Sequence, residues 1–221
     1  IKKKEEIQQL IRPVLESEYV KFKGFHSHIG SQITDTQGFE QAIDILIDFI
    51  KEMKEGYGIE TEDLSIGGGF GIRYTDEDKP IPLGEMVQRL AHTCERALDR
   101  TGISLNKLLI EPGRSIVGEA GCSLYKVGYS KDSCDIATRM GEKKDKTFCV
   151  AGKNCESGDI LIRQALLPST ACEGDLLVMY ATGAYGYSMA SNYNRAGRPE
   201  VIFVKNGKAR RVLRRETFDD Q

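Results

Sequence analysis

The sequence has no apolar run near the ~20 residues that a membrane-crossing helix needs. Its longest candidate, the segment IDILIDFI at 43–50, is broken by Asp44 and Asp48. Charge of neither sign is in excess: 31 Lys+Arg face 33 Asp+Glu, for a formal net charge of −2. That balance excludes a strongly basic nucleic-acid binder. No CxxC pair occurs among Cys94, Cys122, Cys134, Cys149, Cys155 and Cys172, and only 3 histidines exist to complete a ligand set, so a zinc knuckle is not expected. What is present is an ordinary core-forming mix, 40% hydrophobic and 29% charged, which excludes a disordered or collagen-like chain. A chain of 221 residues needs no disulfide staples, so the thiols are expected to be reduced and the protein cytoplasmic. No signal-peptide pattern opens the chain. It begins on Ile1 within IKKKEEIQQLIRP, which reads as the middle of a helix, and a longer parent protein is expected.

Periodicity divides the chain in two. Residues 1–15 suit an amphipathic helix, 20–28 a strand, 38–56 a helix whose apolar residues share one face, and 63–66 a short strand running into glycines. A helix over 84–100 and a buried-type strand at 108–110 follow. This alternation, with each strand ending in a polar or glycine-rich turn, predicts parallel βα units. Three such units cannot close a (β/α)8 barrel of about 250 residues, so either a small open sheet or part of a barrel is expected. Beyond Gly121, short strands are predicted at 123–129, 147–151, 159–164, 175–180, 200–205 and 209–213, with Asn206-Gly207 as a hairpin turn. The stretch 131–146 is polar and patternless and reads as a loop, or as a splice across missing residues.

Several constellations bear chemistry. In Gly67-Gly68-Gly69-Phe70-Gly71 the backbone amides can approach an anion, and a following helix end would add positive charge. A tight strand-to-helix turn explains the glycines equally well. His26-Ser27-His28 puts two imidazoles on one face of a strand. They could ligate a metal, lie flat against an aromatic cofactor, or be structural, which is the favoured reading for His26. Ser31 follows with a hydroxyl. In Glu111-Pro112-Gly113-Arg114 a sharp turn projects an acid and a base from a strand end. The glutamate can hold a cationic ring nitrogen and the arginine can grip phosphate or carboxylate, or the two can simply pair. Cys155 beside Glu156 can exchange a proton, or point into a core as the other cysteines are expected to do. The segment 183–194, rich in Tyr and Asn, can line a ligand site or form a surface loop.

Taken in order, HSHIGSQ, GGGFG, EPGRSIV, AGKNCESGDIL and GAYGYSMASNYN resemble diaminopimelate decarboxylases, members of the pyridoxal-phosphate decarboxylases. The resemblance implies an α/β fold: the C-terminal part of an alanine-racemase-like (β/α)8 TIM barrel over 1–120, and an antiparallel β domain over 121–221. It implies pyridoxal 5'-phosphate as cofactor and a homodimer with shared active sites acting on a small amino acid, with no nucleic acid, membrane or metal involved. His28 is then expected to stack on the pyridine ring, with Ser31, Gly67, Gly68, Gly69, Glu111, Pro112, Gly113 and Arg114 around the phosphate and ring. Glu111 would face the ring nitrogen, and Arg114 would bind phosphate or a substrate carboxylate. The resemblance makes Cys155 the acid that reprotonates the α-carbon, Glu156 a reader of the distal end of the substrate, and Tyr185 a contact to both cofactor and substrate. Cys155 and Glu156 would act from the neighbouring subunit. Two departures matter. No lysine of the sequence matches the family's cofactor-binding lysine, and a substrate-binding stretch is missing near 130–134. An omitted N-terminal half-barrel and an omitted internal segment are therefore expected. A related ornithine, arginine or carboxynorspermidine decarboxylase, a non-catalytic relative, and a metal hydrolase built on His26 and His28 are the alternatives.

Overall fold

Phe39, Ile43, Leu46, Ile47, Ile50 and Met53 recur at three- and four-residue intervals, and in a computed structural model they form the buried face of a helix, Gln37–Tyr57. The structure describes residues 4–126, 134–152, 154 and 159–221. The chain divides into two units, Ile1–Ile116 and Val117–Gln221.

The first unit runs α1 (Lys4–Leu15), β1 (Gly24–His26), α2 (Gln37–Tyr57), β2 (Asp63–Gly68), α3 (Leu83–Thr101), β3 (Lys107–Glu111) and α4 (Gly113–Val117). The three strands are parallel and lie in the order β1-β2-β3. Helices α2 and α3 share one core with Leu64, Ile66 and Phe70, where Phe39 stacks on Phe70 at 4.9 Å. A strand order that follows the chain, with both crossover helices on one face, is the winding of part of a (β/α)8 barrel; a doubly wound sheet would reverse its order and be covered on both faces. A smaller cluster of Ile11, Phe49, Met53 and Ile59 seats α1 against α2.

Two expectations for this unit are corrected. The strand over 20–28 shrinks to Gly24–His26, because pairing starts where Asp63 of β2 stands opposite Gly24. Upstream, only the Lys23 carbonyl is tied, accepting the N–H groups of Glu62 and Asp63 at 2.8 and 2.9 Å. Strand β3 is not buried on both faces: Leu108 and Ile110 pack towards the helices, while Leu109 is 44% exposed on the other face.

The second unit is antiparallel throughout: β4 (Ser123–Lys126), β8 (Leu176–Met179) and β5 (Cys134–Ile136) form one sheet in the order β4-β8-β5. Strands β6 (Lys146–Ala151) and β7 (Ile160–Leu167) pair with each other, and so do β9 (Val201–Lys205) and β10 (Lys208–Leu213). Its core joins Cys134, Ile136, Val150, Ile162, Ala165, Leu167 and Leu177. Asn206 and Gly207 turn the last hairpin with φ of 51° and 70°, the paired positive values of a type I′ turn. The stretch 131–146 is corrected, since it holds β5, a fully buried strand too short to show alternation. Cys94 and Cys134 are buried as expected, but Cys122, Cys149 and Cys172 are exposed, so a core role does not hold for these three. The remainder of the predicted strand at 123–129 lies outside the described residues.

At the N-terminal end of β2, Glu62 accepts hydrogen bonds from Lys21, at 2.8 Å, and from Lys23. These two ammonium groups, Lys21 first, hold its carboxyl down at about 2. A depressed carboxyl pKa stabilises the fold above its unfolded value and loses that contribution as pH falls towards the folded one. Thermal unfolding followed by circular dichroism is expected to show Glu62→Gln flattening the acid limb between about pH 4.5 and about pH 2. The change is modest, because the pair is exposed. An unchanged acid limb contradicts it.

Candidate active site

The strand register brings three polar side chains onto the sheet face away from the helices. Phe25, Leu64 and Leu108 stand opposite one another and belong to the helix-side core, so the next row, His26, Ser65 and Leu109, faces the other way. Two residues beyond Leu109, Glu111 shares that face, and a register shift between Ser65 and Gly68 brings it level with Gly68. There Ser65 Oγ donates to Glu111 Oε1 at 3.1 Å and His26 Nε2 lies 3.0 Å from the same oxygen. No described residue donates to Oε2. His28 lies beyond the end of β1 and turns to a different partner: its Nδ1 accepts the Gly68 N–H at 3.2 Å. In the neutral ring that bond leaves the proton on Nε2. Among the described residues no group of three or more His, Cys, Asp or Glu is placed to hold a metal.

The glycine run is corrected in part. Its close neighbours are protein backbone: a Cβ at Gly67, Gly68 or Gly69 would come within 2.4, 2.3 or 2.0 Å of the carbonyl oxygens of Ser27, Glu111 and Gly30. Two of the amides are already engaged, Gly67 N–H with Ser65 Oγ at 3.2 Å and Gly68 N–H with His28. No helix end follows directly, because α3 begins only at Leu83. The run therefore lets three strand ends crowd together at one rim.

Glu111 and Arg114 do not pair, which corrects the reading of an internal ion pair. Pro112 and Gly113 lead from β3 into the single turn α4, with the Pro112 carbonyl accepting from Ile116 N–H and Ser115 Oγ. Arg114 reaches back instead, donating to Ser31 Oγ at 2.9 Å and to the Tyr74 hydroxyl, with its guanidinium 5.7 Å from the Tyr74 ring centre. Ser31 is itself fixed by its neighbour: the Gln32 amide donates to Ile72 O at 2.6 Å and accepts Ile72 N–H at 3.3 Å, bracing the two strand exits.

In the second unit Tyr185 is half exposed, with φ of 64°. A bulky residue rarely sits in this left-handed region without a reason. Its carbonyl accepts Met189 N–H at 2.9 Å. Cys155 and Glu156 lie outside the described residues. The neck of their connection is described: Asp159 accepts Asn154 N–H at 2.6 Å through its carboxylate, and its carbonyl accepts Gly152 N–H at 2.7 Å.

His26, Ser65, Tyr74, Gln32 and Asp159 were given no site role by sequence reasoning. Only Ser65 carried a signal, as a polar residue inside an apolar strand. The donor set of the first unit fits pyridoxal phosphate. A carboxylate with one oxygen held and one open suits a protonated ring nitrogen. A guanidinium braced by two hydroxyls suits a phosphate, and an imidazole pinned at one edge leaves a face for stacking. Of the lysines in this unit, Lys21 and Lys23 bind Glu62 and Lys107 opens β3, all at the end of the sheet opposite the rim.

Comparison with known proteins agrees with this fit. Residues 2–118 match the pyridoxal binding domain of pyridoxal-dependent decarboxylases, and residues 115–183 match their C-terminal sheet domain. The chain is 42% identical to the diaminopimelate decarboxylase of Bacillus subtilis, over 96% of this chain and 54% of the relative. With that of Staphylococcus aureus it shares 39%, over 96% and 55%. Among solved structures, the diaminopimelate decarboxylase of M. jannaschii in complex with L-lysine superimposes with a TM-score of 0.79 at 33% identity, over 97% of this chain and 54% of that one. The Helicobacter pylori enzyme with L-lysine gives 0.78 at 25%, over 98% and 58%. The chain thus spans about half the length of the relatives it matches. With its pyridoxal-binding match covering more than half of its residues, and a rim whose acid, base and imidazole suit that coenzyme, the chain belongs to the pyridoxal-dependent decarboxylases.

Proposed function

We propose that the protein carrying this chain decarboxylates meso-2,6-diaminopimelate to L-lysine and CO2, the last step of lysine biosynthesis, in the cytoplasm. The observation that carries the reading is the rim itself: Glu111 fixed by His26 and Ser65, with Arg114 braced one turn later by Ser31 and Tyr74. The printed names of relatives at 39–42% identity support the substrate. When bound, pyridoxal phosphate supplies a cationic ring that takes up the electron pair left on the α-carbon as CO2 departs.

The residues of the chain divide the remaining work. Glu111 accepts the ring N–H and keeps that nitrogen charged. His28 covers one face of the ring. Ser31, Gly67, Gly68, Gly69, Pro112, Gly113 and Arg114 enclose the phosphate end, with Arg114 also within the reach of a substrate carboxylate. Cys155 delivers its thiol proton to the α-carbon in place of the lost carboxylate, and regains one from solvent. Glu156 attracts the distal ammonium of the substrate, and Tyr185 closes on cofactor and substrate. Cys155 and Glu156 come from the partner protomer of a homodimer.

The test is an assay of the purified natural protein for CO2 and lysine release from meso-diaminopimelate, with ornithine and arginine as competitors. Turnover of diaminopimelate alone is expected; turnover of ornithine or arginine instead reassigns the substrate. Borohydride reduction followed by peptide mass spectrometry identifies the lysine that holds the cofactor.

A further inference from the structure

His26 is not needed by the core. Its side chain is 53% exposed, it lies on the sheet face away from the helices, and its one charged neighbour is Glu111. Ser65 stands directly across from it in β2. Both converge on the same atom, Glu111 Oε1, at 3.0 and 3.1 Å. A carboxylate held by two donors on one oxygen cannot swing without breaking both bonds, and its second oxygen is left as the acceptor. We propose that His26 is a positioning residue for the cofactor site: with Ser65 it occupies Glu111 Oε1, so that Oε2 serves the ring nitrogen. This rests on the role given to Glu111 above. The geometry also fixes the chemistry of the imidazole, since Nε2 must carry a hydrogen to face an ionised carboxylate.

The experiment measures the dissociation constant of pyridoxal 5'-phosphate by absorbance titration of the natural protein and four variants. His26→Phe keeps a flat ring of similar size but donates no hydrogen bond. His26→Asn restores a short N–H donor. Glu111→Gln and the His26→Phe/Glu111→Gln double variant complete a cycle. A donor lost from a charged acceptor predicts roughly tenfold weaker binding in His26→Phe. The loss is expected to be largely recovered in His26→Asn, and to shrink at least threefold in the Glu111→Gln background because its route is gone. A loss below threefold in His26→Phe overturns the proposal. So does a loss that His26→Asn does not recover, or one that persists in full when Glu111 is already replaced.

Should His26→Phe fail to fold, the ¹⁵N resonances of His26 decide. The Nε2-protonated form is expected in the parent protein and a redistribution towards Nδ1 in Glu111→Gln; identical spectra overturn the proposal. Failure of the wider reading looks different. If cofactor binds and the cycle shows coupling but diaminopimelate releases no CO2, the substrate falls and the positioning role stands. If no pyridoxal phosphate binds at all, both fall.

Discussion

Replacing Gly67 with alanine is expected to cost about a hundredfold in affinity for pyridoxal 5'-phosphate while leaving the helices of the first unit folded. Two effects combine at this position. The backbone has φ of 72°, where an L side chain costs on the order of 1–2 kcal/mol. The added carbon would also sit 2.4 Å from Ser27 O and 3.0 Å from His28 Cα. Neither neighbour is the far end of a flexible side chain, so the backbone that carries His28 has to move. The Gly68 N–H that pins His28 Nδ1 moves with it. A shift near 1 Å in a positioning element is worth about two orders of magnitude. Gly102 is the control. It has nearly the same φ, 70°, and nothing within 4 Å of its notional Cβ. Gly102→Ala is expected to carry the backbone penalty alone, seen as a lower melting temperature with unchanged cofactor binding. Equal behaviour of the two variants in the absorbance titration would refute the claim that Gly67 is required by the rim.

The contrast between these glycines shows what could be read from the sequence. Helices α2 and α3 were legible because 21 and 19 residues repeat an apolar face, and each ends at a left-handed glycine. The βα alternation was legible for the same reason. Strand β5 was not, because three residues leave no pattern to count. Strand β1 was read too long because its limits are set by where β2 begins, a fact of the partner strand and not of its own residues. At the site, the motifs located Glu111, Arg114, His28 and Ser31, but not their company. Ser31 and Arg114 meet from 83 residues apart. Tyr74 joins them from a segment with no periodicity, and the His26–Ser65–Glu111 contact depends on a register shift that no local spacing announces. His26, read as structural, is drawn into the site by that shift.

The largest expected loss of turnover belongs to Glu111→Gln, and the hydrogen bonds around Glu111 say why. Ser65 Oγ and His26 Nε2 both donate to Oε1. In the glutamine variant a carbonyl oxygen must take that position, because an NH2 group there would face two donors. The NH2 is thereby forced into the place of Oε2. The substitution then removes the negative charge and also turns the one open acceptor into a donor aimed at a ring nitrogen that itself carries a hydrogen. A preorganised electrostatic contact of this kind is worth about 10²–10³ in kcat. The cofactor is still held through its phosphate end, so saturation with pyridoxal phosphate is expected to be reached at higher concentration, with kcat still depressed there. Ser65→Ala, which leaves His26 on Oε1, is expected to lose no more than about tenfold. Glu111→Asp keeps the charge but falls short of both donors by a methylene, and is expected to lie between them. The measurement is CO2 release at saturating cofactor and substrate. A Glu111→Gln protein that keeps a third or more of the parent kcat would show that the acid at the end of β3 does not act on the ring.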